Sequence, residues 1–346
     1  MTRQIDLKTI ADKLGPIFAE AAEVRGEAAD FVADNYDLLE DHKIFSAMVP
    51  TELGGGGASH REMCEFVREL GKSCGSTALA LSMHQHLVAA AVFNDRNGKP
   101  GRKLLQRVVD GESVLVTSAP YEDPAEGWQV LHFPVPFAAE GISTAGDWDT
   151  LGMRATGSET VILDKVFVPD EAVVLRRPRE GYHPAFNVIL TVAMPLIVSA
   201  YLGVAEAAAE IATVRARQRA GDPATAIQLG ELGNLLTTAR LARDSMVEIA
   251  NDWQFSPVVE TAEAILTRKT IAAQAILATA EKALETGGGG GGFYRRAGLE
   301  RRLRDVHGVQ FHPLPEKRQQ QFCGRLALGL NPIGEDVQPR FKQAAE

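Results

Sequence analysis

Two stretches of this chain carry groups suited to holding an anionic ligand. Arg217, in the run Arg217-Gln218-Arg219-Ala220-Gly221-Asp222-Pro223, offers a planar, permanently charged fork of donors that matches phosphate or pyrophosphate. Gly289, Gly290 and Gly292 stand in an unbroken glycine run, Gly287 to Gly292, where the missing Cβ lets backbone amides come close to a ligand oxygen. Taken singly, a solvated arginine and a flexible linker are the simpler readings. The glycines also satisfy a G-x-G-x-x-G pattern trivially, but a dinucleotide fingerprint needs a strand before it, and the preceding run ILATAEKALE is helical. His84 and His86 lie two apart, so on a helix they face different directions and make a poor metal pair. His132 and His183 have no Cys, Asp or Glu at ligand spacing, and no metal is expected. Cys64, Cys74 and Cys323 form no C-x-x-C pair and leave one thiol over, which reads as reduced, inert cysteine.

These residues must be positioned by a mostly helical frame. The chain has 346 residues, 45% apolar and 23% charged, enough for two or three packed layers. Its formal charge of -9, with basic residues scattered, lacks the footprint of a nucleic-acid binder. No basic start followed by an apolar block opens the sequence, so the cytoplasm is the expected location. Residues 5 to 110 show apolar positions three and four apart, and Ser59 with Glu62 forms a capping box ahead of a helix. Between Ser113 and Leu175, SVLVTSAPY, WQVLHFPVPF and ETVILDKVFVP read as strands. Helical composition returns after Tyr182, at 196–219, 227–252 and 258–285, and Glu316 to Gln321 begins a last helix. Val188 to Ala205 is free of charge and near membrane-span length, but Pro195 and the amphipathic run that follows predict a helix buried in a bundle and no membrane span. The expected class is α+β, mainly α. It has an all-α segment at 1–112, a small β-domain at 113–178 of sandwich or barrel-like form, and a C-terminal four-helix bundle at 179–346.

The segment Asp149-Thr150-Leu151-Gly152-Met153-Arg154, leading into ETVILDKVFVP, resembles the signature of the acyl-CoA dehydrogenase superfamily. Four further pieces resemble that family in the same order: Val49-Pro50 with Gly54 to Gly57; Arg217 to Pro223 with Gln228; Gly289 to Phe293; and Glu300-Arg301-Arg302-Leu303-Arg304-Asp305. The resemblance implies FAD, bound by Arg154, Arg217, Gln228, Gly289, Gly290 and Gly292, with the phosphate contacts crossing a subunit interface. A homo-oligomer, dimer or tetramer, is therefore expected. It also implies a small-molecule substrate, such as an acyl-CoA, in a pocket lined by the helix carrying His84 and His86; for both, core or surface histidine is the simpler reading. An electron-transfer flavoprotein or a flavin reductase is the implied redox partner.

Departures from the pattern bear on mechanism. In the loop after Arg304-Asp305 the family places its base directly after an aromatic residue; here His312 takes the aromatic position, after Phe311, and Pro313 the base position. An alternative family site for the base, ten residues before Gly203, is Ala193. Neither proline nor alanine can accept an α-proton, whereas His312 titrates near neutrality and can. A histidine here resembles the flavin monooxygenases of the same fold, such as dibenzothiophene monooxygenase, in which it lies beside the flavin; a loop histidine bonded to backbone is the plain alternative. The β segment is short, with family residues missing near 116–118. Ala220 and Thr286 replace a Phe and a Gln that serve FAD, which makes FMN a credible substitute. The expected function is a flavin-dependent oxidoreductase acting on an acyl-CoA or similar substrate. A reduced-flavin monooxygenase using O2 with His312 is the alternative, and a flavin-free scaffold the alternative of another class.

Overall fold

A computed structural model describes residues 5–25, 30–111 and 114–334. The chain opens with α1 (Leu7–Arg25), α2 (Ala33–Asp41), α3 (His60–Ser73), α4 (Gly75–Arg96) and α5 (Arg102–Val109). The capping box at the start of α3 is formed: the Ser59 N–H donates to Glu62 Oε2 at 2.8 Å and the Glu62 N–H to Ser59 Oγ at 3.1 Å. This satisfies two of the amides that a helix start leaves without partners. The boundary expected between 112 and 113 lies outside the described residues.

Strands β1 (Val114–Asp123) and β2 (Gly127–Pro136) pair antiparallel, with Val114 opposite Pro136 and Asp123 opposite Gly127. β3 (Ile142–Thr144) and β4 (Val161–Leu163) form a separate two-stranded ribbon, and β5 (Leu175–Pro178) adds to β2, giving the order β1-β2-β5. Where a sandwich or barrel-like form was expected, the described strands thus make one three-stranded sheet and one ribbon. The reason is visible in ETVILDKVFVP, which is strand only over Val161–Leu163: Lys165 turns the chain with φ +55°, and the Asp164 N–H closes onto Gly141 O at 2.9 Å. β1 runs without a break through 116–118.

The helices resume with α6 (Ala185–Ala216), α7 (Pro223–Ala250), α8 (Val259–Thr286), the short α9 (Gly290–Phe293), α10 (Leu299–Val306) and α11 (Glu316–Ala327). α6, α7 and α8 pack on one another, α10 lies against α6 and α8, and α11 against α8. α6 is long and apolar enough to cross a membrane, yet Leu190 to Ala209 is buried without interruption, because α3 and α4 cover the side that the bundle leaves open. At the α3–α6 crossing two glycines let the backbones touch. A Cβ on Gly203 would lie 2.1 Å from the Arg68 carbonyl oxygen, and one on Gly71 2.4 Å from that of Ala200.

Around that crossing runs a buried charge network. Glu206 on α6, with 1% of its surface exposed, accepts from Arg68 of α3 at 2.9 and 3.0 Å and from Arg240 Nε of α7 at 2.7 Å. Arg243 of α7 donates to Ser199 Oγ at 2.8 Å and pairs with Glu65 and Asp244. Burying such charges is tolerable only because each finds a partner.

Gly203→Ala tests the crossing by its sign. In a free helix the change adds about 0.5–1 kcal/mol of stability, whereas overpacking a close helix crossing costs about 1–3 kcal/mol. Thermal melts should show a lower midpoint for the variant, and an equal or higher one contradicts the packing.

Candidate active site

The polar groups that can do chemistry gather where the loop after α10 passes over α6. Gly308 sits directly above Tyr201, so that a Cβ there would lie 2.5 Å from the tyrosine hydroxyl. Four residues on, His312 Nε2 and Tyr201 Oη are 2.9 Å apart, and the rings meet edge to face with centroids 5.4 Å apart. Lys269 of α8, 1% exposed, holds the same loop by its backbone, donating from Nζ to His312 O at 2.9 Å and Leu314 O at 3.0 Å. Lys269 has no carboxylate partner among the described residues, and burial pulls its ammonium down to about 8. Burial, the Lys269 charge and His86 push the His312 imidazole down to about 4, so it is neutral at pH 7. Burial raises the Tyr201 hydroxyl, with the Asp305 carboxylate adding to the effect, and the phenol keeps its proton.

The two α4 histidines divide as their spacing predicts. His84 turns to the loop before α3, with Nε2 2.9 Å from Phe45 O and its ring edge-on to Phe45. His86, whose Nδ1 lies 3.3 Å from Ser82 O, is near enough to lower His312 electrostatically and is itself pushed down to about 4 by burial. Of the pair, His86 shares the site. Phe311 is 77% exposed and points away from the core, so it can only cover the site from outside.

The glycine run is held differently from expectation. Arg215 donates to Gly287 O at 2.6 Å and Gly291 O at 3.2 Å, and Arg219 donates to Thr286 O. Arg217 lies between them on the exposed side; its backbone N–H caps α6, and its side chain makes no hydrogen bond or ion pair among the described residues. Gly288 and Gly289 take φ of +122° and +52°, while a Cβ on Gly287 or Gly292 would strike Leu299 Cδ1 at 2.4 Å or Leu284 O at 2.6 Å. The amides of Gly289 and Gly292 are spent inside the turn, on Glu285 O at 3.0 Å and Gly289 O at 2.9 Å, whereas Gly290 donates none of the described backbone bonds. Gln228 donates to Glu285 at 3.2 Å but keeps Oε1 buried without a partner, as do Thr225 Oγ1 and Thr286 Oγ1.

Arg154 joins none of these groups. It bonds Asp149 Oδ1 at 2.8 Å and Thr150 O at 2.7 Å, beside the seam where the Leu151–Arg154 turn meets α10. Across that seam Asp305 Oδ1 accepts the Met153 N–H at 2.6 Å, Arg304 donates to Leu151 O at 3.1 Å, and Gly152 leaves no space for a Cβ against Arg304 O, 2.2 Å away. Two motifs far apart in sequence are therefore halves of one joint.

Residues 8–112 match the acyl-CoA dehydrogenase N-terminal domain and residues 196–316 its C-terminal domain, together well over half of the chain. The chain belongs to the acyl-CoA dehydrogenase family. Among curated relatives, L-evernosamine nitrososynthase of a Micromonospora strain is 25% identical over 266 residues, 62% of this chain and 63% of that protein, so this chain spans under two thirds of that relative. Dibenzothiophene monooxygenase of Mycolicibacterium goodii is 27% identical, covering 83% of this chain and 85% of its own. The putative acyl-CoA dehydrogenase YdbM of Bacillus subtilis is 25% identical over 364 positions, 87% of this chain and 92% of its own. That alignment is longer than this chain's 346 residues, so the relative holds residues absent here. Among solved structures, a nitrososynthase from Micromonospora carbonacea superposes with a TM-score of 0.80 at 21% identity, over 95% of this chain and 99% of that one. FMN-bound TdsC from Paenibacillus gives 0.79 at 18%, over 92% and 96%. At these identities the superpositions show the fold, which is that of the family.

Tyr201, Lys269, Asp305, Arg215 and Arg219 escaped the sequence reading. A tyrosine in the apolar run Val188 to Ala205 is a faint signal for the first; nothing marks Lys269 among its alanines.

The histidines set a pH dependence. His60, His86 and His312 are each pushed down to about 4, with burial the largest cause. In the folded state they stay neutral, while unfolded they protonate below about 6.5. The stability they allow is thus present above 6.5 and lost as pH falls towards 4, by about 1–2 kcal/mol per histidine at pH 5. Urea midpoints should fall between pH 7 and pH 5, and His86→Leu should flatten that slope; an unchanged slope contradicts the burial of His86.

Proposed function

We propose that this protein is a flavin-dependent monooxygenase that takes reduced flavin, FMN in preference to FAD, and O2, and oxygenates a small organic molecule. The observation that carries the reading is the His312 loop. Where a dehydrogenase of this family needs a carboxylate, Pro313 and the buried Ala193 stand, and the titratable group at the spot is an imidazole locked to Tyr201 and neutral at working pH. The fold neighbour TdsC with bound FMN and the dibenzothiophene monooxygenase relative support the same direction.

The residues present fit a phosphate-bearing cofactor tail. Nothing lies within 4 Å of a Cβ placed on Gly289 or Gly290, Arg217 is exposed and unengaged, and Gln228 Oε1 and Thr286 Oγ1 lack partners. Arg217 and the Gly290 amide would hold the phosphate and Gln228 Oε1 would accept from a hydroxyl of the tail, with the contributing residues divided between protomers of a homo-oligomer. When bound, the reduced flavin supplies the two electrons that split O2, one atom entering the substrate and the other leaving as water.

The chain's own part is orientation and proton handling. Tyr201, kept protonated by burial, donates to His312 Nε2 and leaves the ring hydrogen on Nδ1, where it can be given to a developing oxyanion. Lys269 fixes the loop backbone, so the ring does not swing out when the site fills. His86 and Phe311 border the space next to the ring, one from α4 and one from the loop itself.

A second reading, oxidation of an acyl-CoA, is favoured by the extent of the match to YdbM. The two separate on one bench. With FMN or FAD bound and oxygen removed, butyryl-CoA should leave the flavin spectrum unbleached, while NADH, a flavin reductase and air should convert indole or dibenzothiophene. His312→Ala should lower that turnover by about 100-fold or more. Bleaching by butyryl-CoA, or full activity of the variant, contradicts the proposal. A protein that binds neither flavin contradicts both enzymatic readings and leaves the scaffold.

A further inference from the structure

We propose that a cavity at the start of α4, walled by α10 and the Leu151–Arg154 turn, is a binding site for one hydrogen-phosphate group. The cavity measures about 60 Å³ and opens at the junction of α3 and α4. Its floor is the first turn of a helix of 22 residues whose N-cap, Cys74, makes no side-chain cap bond, so the leading amides of α4 face it without partners. A helix start of this kind favours an anion by its amides and its dipole.

Three side chains on the wall point to the same ligand. Ser76 has 8% of its surface exposed, lines the cavity, and makes no hydrogen bond with any described residue. Arg154 contributes a buried Nε that has no acceptor. Arg302 donates to the Gly298 carbonyl at 2.7 Å and, unlike Arg154, Arg301 and Arg304, has no carboxylate at ion-pair distance among the described residues. The Glu23, Asp305 and Glu210 carboxylates act on this guanidinium only from beyond ion-pair distance, and an oxyanion in the cavity supplies a direct partner.

The one carboxylate lining the cavity, Asp305, gives the site its selectivity. Its Oδ1 is occupied by the Met153 N–H at 2.6 Å, and burial raises its pKa against the pull of the surrounding arginines. In its ionised form this carboxylate repels a fully ionised sulfate, while its other oxygen can accept a hydrogen bond from the remaining proton of phosphate. The same wall thus attracts one tetrahedral anion and rejects its isostere. The ligand is therefore free hydrogen phosphate, since a phosphomonoester at neutral pH is largely a dianion with no proton left, and it would stitch α4, α10 and the 151–154 turn together. The site is independent of the reaction assigned to His312.

Calorimetric titration and thermal melts of the full chain, at balanced ionic strength, with orthophosphate, phenyl phosphate and sulfate test this. Orthophosphate should bind saturably at one site per chain and raise the melting midpoint, and sulfate should bind at least about 10-fold more weakly, the worth of one hydrogen bond to a charged group. Phenyl phosphate, largely without that proton at neutral pH, should bind as weakly as sulfate, and binding equal to that of orthophosphate overturns the part given to Asp305. Ser76→Ala should weaken orthophosphate by about 5-fold or more with the ligand-free midpoint unchanged, and Arg302→Gln should weaken it further. No saturable heat, equal binding of phosphate and sulfate, or a Ser76→Ala variant that binds as the parent overturns the proposal.

Discussion

Everything in this molecule hangs on two turns of α6, residues 199 to 206. Ser199 receives Arg243 of α7, Tyr201 holds His312, Gly203 admits the backbone of α3, and Glu206 takes Arg68 of α3 and Arg240 of α7. A helix rotates by about 100° per residue, so Ser199, Gly203 and Glu206 share one face, turned to α3 and α7, while Tyr201 stands on the opposite one; partners on both sides are met only by a helix buried all round. That is why α6 carries no charge before Glu206 and why the one charge there is fully paired. Position of the reacting imidazole and cohesion of the N-terminal helices with the bundle are consequences of the same stretch.

The second organising feature is the joint between the Leu151–Arg154 turn and α10. It explains in physical terms why Leu-Gly-x-Arg and Glu-Arg-x-x-Arg-Asp occur together: a glycine that must have no Cβ, an aspartate that must accept an amide, and an arginine that must reach a carbonyl. The seam brings the short β segment onto the helical body close to where α10 runs into the His312 loop. Its arginines line a cavity beside the seam, and Arg154 is tied to Asp149 and the Thr150 carbonyl there.

Much of this was legible in the residues. Periodicity gave the order helices, sheet, helices, the Ser59–Glu62 box marked the start of α3, and the uncharged run at 188–205 read correctly as a buried helix. His312 was found by asking what stands where a base belongs. What sequence could not supply is which partner a side chain meets across 40 to 110 residues: Tyr201 with His312, or Lys269 with the 312–314 carbonyls. The glycine run shows the same limit. As letters it suggests six equivalent amides, but in space two positions are fixed by positive φ, two by close packing, and Gly290 alone keeps its amide uncommitted.

The account stands on the claim that the loop after α10 presents to the site a neutral imidazole, held by a protonated tyrosine of α6, in place of a carboxylate. Nitrogen-15 NMR of histidine-labelled protein, titrated from pH 8 to 4, reads that state directly once His312→Gln has assigned the resonance. The expected spectrum shows the Nδ1–H form throughout that range with protonation only near 4, and Tyr201→Phe shifting both tautomer and midpoint. A His312 ring that titrates near 6.5, as a solvated histidine does, and ignores the loss of the Tyr201 hydroxyl would contradict it.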